Sequence, residues 1–319
     1  MHHLTTGPSR RRLLAASAGP ALAGIGLLAT AGPAQAADPA AGPSAGPSTG
    51  PSTGLERQLR GLERQHAARL GVLAHDTADG RTVRYRAGER FPICSVHKVL
   101  TVSAVLRDLD RHGDYLQKRV RYTEADVERA VYAPITGTPE NLAHGMTVAE
   151  LCAAALDYSD NCADNLLLAR IGGPHAVTRF ARSIGDRVTR LDRWEPQLNY
   201  DGPGRVEDTT TPAAIGGDVA RLVLGRELPG PKRSLLTNWM LHNTTSAHQF
   251  HAGVPSDWTI ADKTGSGGWG SGNDVGILWP PHRRPIVLAV MTTKFQQDAA
   301  SDPELIARTT ALVTAALSG

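Results

Sequence analysis

A serine and a lysine three positions apart form the first candidate site. They belong to the run Ser95-Val96-His97-Lys98, which follows Pro92. This spacing places the hydroxyl and the ammonium on one face of a helix. The start of a helix favours negative charge that develops nearby, and a lysine can act as a base when its surroundings lower its pKa. The pair therefore predicts covalent catalysis by a serine nucleophile.

Two further motifs follow in the sequence: Ser159-Asp160-Asn161 and Lys263-Thr264-Gly265. The first lies between two predicted helices, and the second follows a predicted strand. Taken separately, Ser159 could be a helix cap and Lys263 a solvated strand end. Together and in this order, the three motifs resemble the signature of class A β-lactamases and penicillin-binding proteins.

A loop favours the first of these two groups. The segment 191–199 has neither helical nor strand periodicity and resembles the Ω-loop of class A serine β-lactamases, in which a glutamate and an asparagine hold a hydrolytic water. Glu195 and Asn199 match these two residues, and transpeptidase and carboxypeptidase relatives lack the glutamate. The resemblance also implies that Arg193 and Asp208 form an ion pair that braces the loop.

The resemblance implies hydrolysis of penicillins and cephalosporins through a serine acyl-enzyme, which confers β-lactam resistance and needs no cofactor or metal. The implied catalytic residues are Ser95, Lys98, Ser159 and Glu195. The implied substrate-binding residues are Tyr132, Asn161, Asn199, Lys263, Thr264, Gly265 and Ser266. Either Lys98, or Glu195 through a water, takes the proton of Ser95, and Ser159 relays a proton to the ring nitrogen. Backbone N–H groups of Ser95 and Ser266 form the oxyanion hole.

One feature departs from the family pattern. Many members place an arginine beside the Lys-Thr-Gly strand, where it shares the carboxylate of the substrate. The corresponding stretches, 245–251, 271–274 and 301–303, contain no arginine. Carboxylate binding then depends on Lys263, Thr264 and Ser266, so we expect a raised KM and slow inactivation by clavulanate-type inhibitors.

Two other functions share the serine chemistry. One is a cell-wall D,D-peptidase, against which Glu195 argues. The other is a non-hydrolysing penicillin-binding or sensor domain, which only the missing arginine supports. Slow release of the acyl group from the wild-type protein would favour either alternative over a hydrolase.

The cysteines and histidines give no metal signature. Cys94, Cys152 and Cys162 allow at most one disulfide, and no cysteine follows Ser266 to pair with Cys94. Pairs of ligands at zinc spacing are absent from the sequence. His97 lies inside the first motif, where we expect it to alter packing behind the nucleophile.

The N-terminus resembles a twin-arginine export signal. Arg10, Arg11 and Arg12 precede a weakly apolar stretch over 13–30 and a small-residue cleavage site ending at Ala36. The alternative is a membrane anchor, because the stretch reaches the minimum length of a span. We expect cleavage after Ala36, no stable anchor, and a secreted or periplasmic enzyme that is monomeric.

The remaining sequence divides into a linker and one folded unit. Residues 37–54 are almost entirely Pro, Gly, Ser, Ala and Thr, which predicts a solvated linker. The folded unit then spans 55–319. Three of the 34 basic residues lie in the signal, so the rest of the chain has 31 basic and 31 acidic residues. A basic nucleic-acid-binding surface is therefore not indicated.

The hydrophobic pattern predicts strands at both ends of this unit and helices between them. Predicted helices are 55–70, 99–109, 148–156, 164–171, 213–224 and 303–317; predicted strands are 71–75, 82–85, 258–261, 275–279 and 286–292. This order indicates an α/β (α+β) fold, with a sheet built from both chain ends. The resemblance implies that this sheet is antiparallel and five-stranded, and is flanked by terminal helices. The α/β part covers 55–90 and 242–319, an all-helical part covers 91–241, and the active site lies in the cleft between them.

Overall fold

A computed structural model describes residues 51–200, 202 and 204–318. The predicted signal and most of the predicted linker lie outside these residues. The helices are α1 Pro51–Gln65, α2 Lys98–Ala104, α3 Glu124–Ala130, α4 Pro139–His144, α5 Val148–Asp157, α6 Asn161–Ile171, α7 Pro174–Ser183, α8 Pro212–Val223, α9 Gly230–Leu241 and α10 Pro303–Ser318. The strands are β1 Ala68–Asp76, β2 Thr82–Tyr85, β3 Phe91–Pro92, β4 Arg119–Val120, β5 Met146–Thr147, β6 Thr209–Thr210, β7 Thr259–Gly267, β8 Ser271–Trp279 and β9 Ile286–Lys294.

Five strands form one antiparallel sheet in the order β2-β1-β9-β8-β7. Helices α1 and α10 pack together and contact the sheet, and α8 also packs on its strands. Because helices cover the sheet, β8 and β9 are buried along almost their whole length and do not alternate between buried and exposed residues. The predicted fold class and sheet are confirmed.

The helical part carries two small two-stranded ladders, β3 with β6 and β4 with β5, so it is not entirely helical. Thr147 and Glu150 form a capping box at the start of α5. Asp160 caps α6 by accepting a hydrogen bond from the backbone N–H of Ala163. Ser159 is therefore not the helix cap, and its side chain is available for other contacts.

The first predicted helix ends too late. Helix α1 stops at Gln65, and 68–70 belong to β1, where Ala68 pairs with Lys294. It also begins at Pro51, ahead of the predicted start of the folded unit at residue 55. The apolar spacing over 55–70 is compatible with a helix, but pairing with β9 recruits its last residues into the sheet.

The predicted hairpin of 71–75 with 82–85 is confirmed as β1 and β2. The helix predicted over 99–109 divides into α2 and a wider turn over Val105–Leu109. Strand β7 extends to Gly267, well beyond the predicted end at residue 261.

The three cysteines are buried and free. Burial raises the pKa of each thiol above its ordinary value, which keeps them protonated at neutral pH. Among the residues that the structure describes, no helix is both long enough and apolar enough to cross a membrane.

Candidate active site

The predicted nucleophile, Ser95, lies in a tight turn held against the sheet. A single 3-10 turn, Cys94–His97, leads directly into α2. The side-chain amide of Asn273, on β8, donates to the backbone oxygens of Pro92 at 2.9 Å and Ile93 at 3.0 Å. Cys94 has a φ of 45°, a conformation that non-glycine residues rarely adopt and that surrounding contacts must hold. The turn is thus fixed before any substrate binds.

Ser95, Lys98 and Glu195 are in mutual contact. The ammonium of Lys98 donates to Ser95 Oγ at 3.0 Å and lies 3.2 Å from Glu195 Oε1. The Ser95 hydroxyl donates to the same carboxylate oxygen at 3.3 Å. Both Lys98 and Glu195 are buried, and a buried charge needs a partner of opposite sign. Both candidate bases are therefore within reach of the nucleophilic hydroxyl.

Ser159 connects the two lysines. Its hydroxyl accepts from Lys263 Nζ at 3.0 Å and lies 3.5 Å from Lys98 Nζ. Lys98 also donates to the Ser159 backbone oxygen at 2.8 Å and to Asn161 Oδ1 at 2.6 Å. A hydroxyl between two amines can accept and donate protons in turn, which is the geometry that a proton relay requires.

The loop that carries Glu195 is held at several points. Asn165, on α6, accepts from the Glu195 backbone N–H at 3.1 Å and donates to its carbonyl oxygen at 2.9 Å. Asn199 donates to the Glu195 carboxylate. The ion pair of Arg193 and Asp208 is present at 2.6 Å, and Asp208 is almost fully buried. The structure thus contains the brace that the resemblance implies.

These side chains border a cleft of about 280 Å³. From the predicted set, its walls include Ser95, Tyr132, Ser159, Asn161, Asn199, Thr264, Gly265 and Ser266. Tyr132 stands at the entrance with half of its surface exposed. Lys98, Lys263 and Glu195 lie buried behind the walls, so all eleven predicted residues converge on one place.

Three further residues line the cleft, Thr245, Gln249 and Ser301. They lie in the stretches 245–251 and 301–303, which were noted above only because they lack an arginine. The hydroxyls of Thr245 and Thr264 share a hydrogen bond. Gln249 is only 8% exposed, and its side-chain oxygen has no hydrogen-bond partner. None of the cleft-lining residues is an arginine.

Lys263 is fully buried, and this burial together with the nearby Lys98 ammonium lowers its pKa to about 7. Its neighbours Asp262 and Asp274 are buried as well. Burial raises the pKa of both carboxyls above the ordinary value, and their mutual repulsion adds to the effect for Asp274. Lys263 therefore changes its charge near neutral pH.

Three buried side chains lie close enough together to suggest a metal site: His97, Asp164 and Glu195, whose ligand atoms are within 4.8 Å of one another. Glu195 is paired with Lys98, and both ring nitrogens of His97 have partners within the chain. These interactions account for the cluster, and we assign it no ion.

Comparison with known proteins agrees with this arrangement. A model of the β-lactamase enzyme family matches residues 54–317. A β-lactamase of Streptomyces lavendulae is 56% identical over 98% of this chain and 99% of its own length, and one of Streptomyces fradiae is 54% identical over the whole of both chains. The solved β-lactamase of Streptomyces albus G superposes with a TM-score of 0.82, is 58% identical, and covers 82% of this chain and 99% of its own. With a buried serine–lysine–glutamate centre on the same fold, the chain belongs to the β-lactamase enzyme family.

Proposed function

We propose that the protein hydrolyses penicillins and cephalosporins through an acyl-enzyme on Ser95, as a class A serine β-lactamase that confers resistance. One observation carries the proposal: a single serine hydroxyl lies within 3.3 Å of both a buried lysine and a buried glutamate. The family match over the whole folded unit and the names of the relatives support it.

Acylation needs a nucleophile, a base and a proton donor. Ser95 Oγ attacks the β-lactam carbonyl, and its proton passes to Glu195 through a water, or to Lys98 after the Lys98 ammonium has given one proton to the Glu195 carboxylate 3.2 Å away. Backbone N–H groups of Ser95 and Ser266 stabilise the charge that develops on the carbonyl oxygen. Ser159 then donates a proton to the ring nitrogen as the C–N bond breaks. One of the two lysines that contact the Ser159 hydroxyl returns a proton to it.

Substrate binding uses the opposite wall of the cleft. Lys263, Thr264 and Ser266 meet the substrate carboxylate, and Asn161 holds the side-chain amide of the substrate. Deacylation uses Glu195 and Asn199, which hold and activate a water to attack the ester. This second step distinguishes a hydrolase from the two penicillin-binding alternatives.

The test is hydrolysis of a chromogenic cephalosporin by the wild type, Ser95→Ala and Glu195→Ala, with intact-mass readings after mixing with benzylpenicillin. We expect turnover by the wild type, no activity in Ser95→Ala, and a stable covalent adduct in Glu195→Ala. A wild-type protein that itself stops at a stable adduct would instead be a penicillin-binding or sensing relative.

We further propose export through a twin-arginine pathway, cleavage after Ala36, a linker over 37–50 that ends where α1 begins, and a monomeric mature enzyme outside the cytoplasm. The paired arginines and the small-residue site support export. Replacing Arg10, Arg11 and Arg12 by lysine should retain the precursor inside the cell, and the mass of the exported protein should begin at Ala37. Light scattering of the exported form measures the oligomeric state.

A further inference from the structure

Both ring nitrogens of His97 face hydrogen-bond acceptors. Nδ1 lies 2.7 Å from the carbonyl oxygen of Cys94, and Nε2 lies 2.9 Å from Asp164 Oδ2. A carbonyl cannot donate, so Nδ1 carries a proton. The contact with Asp164 requires a second proton, which the imidazole and the carboxylate share.

This pair is completely buried. Burial by itself would lower the pKa of His97, but the Asp164 carboxylate outweighs it and raises that pKa above the ordinary value. One proton thus lies between Nε2 and the carboxylate, and Nδ1 keeps its own proton for the Cys94 carbonyl. Hydrogen bonds in a buried chain polarise one another, so the contact with the Asp164 carboxylate strengthens the bond from Nδ1 to Cys94.

The carbonyl of Cys94 and the N–H of Ser95 are the two ends of one planar peptide group. A hydrogen bond that holds the oxygen also sets the direction of the N–H, and it polarises the group. Holding matters here because Cys94 has a positive φ. The surroundings are also tight, since a Cβ at Gly265 would lie 3.0 Å from the backbone nitrogen of Ser95.

We propose that His97 and Asp164 are positioning residues, which orient and polarise the Cys94–Ser95 peptide so that its N–H stabilises the oxyanion. The inference rests on the proposed serine mechanism and extends it to two residues that do not touch the substrate. Asp164 anchors the imidazole, and the imidazole anchors the peptide.

Two double variants test this, and both remove the two charges so that no unpaired buried charge remains. His97→Asn/Asp164→Ala retains a donor, because the asparagine Nδ2 is as many bonds from Cβ as the histidine Nδ1. His97→Phe/Asp164→Ala has no donor to Cys94. Thermal unfolding of both variants is recorded beside the wild type.

The first readout is the rate constant for acylation of Ser95 by benzylpenicillin, from rapid mixing, acid quench and intact mass. Loss of an oxyanion-hole donor costs about 10²–10³ in rate. In the phenylalanine variant the Ser95 N–H remains, but its peptide is neither held nor polarised. We therefore expect about a tenfold slower acylation in this variant. The asparagine variant should stay within about threefold of the wild type.

The second readout is the infrared stretch of the ester carbonyl in the acyl-enzyme, trapped in a Glu195→Ala background. A weakened oxyanion hole should move this band to higher frequency in the phenylalanine variant only. A role confined to fold stability would change the unfolding temperature and leave the band in place.

Equal acylation rates and equal bands in the two double variants would overturn the proposal, as would an asparagine variant that loses as much as the phenylalanine variant. If the phenylalanine variant does not fold, His97→Leu/Asp164→Ala replaces it with a smaller side chain that also lacks the donor, and the same loss is expected. Failure of the underlying serine mechanism is recognised separately, because the wild type would then form no ester on Ser95.

Discussion

In the proposed function, the charge of Lys263 should make substrate capture depend on pH near neutrality. Its ammonium is buried, and its Nζ donates to two neutral oxygens, Ser159 Oγ at 3.0 Å and the Thr264 carbonyl at 2.8 Å. Burial and the Lys98 ammonium lower its pKa to about 7. In the proposed function this charge binds the substrate carboxylate, so the free enzyme loses it as pH rises through about 7.

The expected magnitude follows from a single ionisation. The pH dependence of kcat/KM reports groups of the free enzyme, so kcat/KM for benzylpenicillin should fall about tenfold for each pH unit above the pKa. About a tenth of the maximum should remain at pH 8 and about a hundredth at pH 9. The assay is kcat/KM measured from pH 5.5 to 9.5 at constant ionic strength.

Lys263→Arg supplies the control, because a guanidinium stays charged across this range. Its kcat/KM is expected to be lower overall, since the two cations differ in shape, but the alkaline decline should disappear. A decline that persists unchanged in Lys263→Arg, or a wild-type profile that is flat to pH 9, would refute the reasoning.

Stability should respond to pH with the opposite sign. The pKa of Lys263 is about 7 in the folded state against an ordinary value of 10.5. Between these values the unfolded chain binds more protons, so the contribution of this group to the free energy of unfolding rises with pH. Loss of activity between pH 7 and 9 without any loss of structure therefore separates deprotonation of Lys263 from alkaline unfolding.

Three further changes test other parts of the cleft and its support. Gln249→Arg places a cation at the cleft wall and should lower KM for benzylpenicillin about tenfold, equivalent to about 1.4 kcal/mol. The same change should speed inactivation by clavulanate. An unchanged KM would argue against the idea that the missing arginine weakens binding of the substrate carboxylate. Arg193→Ala removes the partner of the buried Asp208 and should lower the free energy of unfolding by about 1–3 kcal/mol, measured in urea, whereas the exposed Arg226→Ala should have little effect. Burial and the neighbouring Asp186 raise the pKa of Asp218 to about 9, so the contribution of this group to the free energy of unfolding is lost as pH rises towards 9. Asp218→Asn cannot ionise and should lose less stability than the wild type between pH 6 and pH 9. Urea titrations at these two pH values measure the difference.

Local patterns predicted the elements that depend on local sequence. Strand β2 alternates polar and apolar residues and follows an Asp79-Gly80 turn, and α10 begins at a proline. The exact end of α1 depends instead on pairing between Ala68 and Lys294, which are far apart in the sequence. Strand β7 extends beyond its apolar part because its polar end, from Lys263 onward, still pairs with β8.

The convergence of the candidate catalytic residues was predictable, because the chemistry restricts which residue types can serve at each position. The supporting contacts were not, because they join ordinary residues across the fold. Asn165 fixes the backbone of Glu195, and Asn273 fixes the backbone before the nucleophile. An asparagine in a helix or strand has no pattern that identifies such a partner. The sequence likewise did not mark Gln249 as a cleft residue, because it indicated only that this stretch lacks an arginine.

The other buried charges favour Lys263 as the group that meets the substrate carboxylate in the proposed function. Lys98 is neutralised by contact with Glu195, and His97 by contact with Asp164. Lys263 bonds to neutral oxygens, and its lowered pKa reflects the cost of holding that charge in a buried position. A substrate carboxylate at Thr264 and Ser266 would supply the neighbouring negative charge and raise that pKa again. Substrate binding should therefore take up a proton above pH 7, which calorimetry in buffers of different ionisation enthalpy can measure using the non-hydrolysing Glu195→Ala variant.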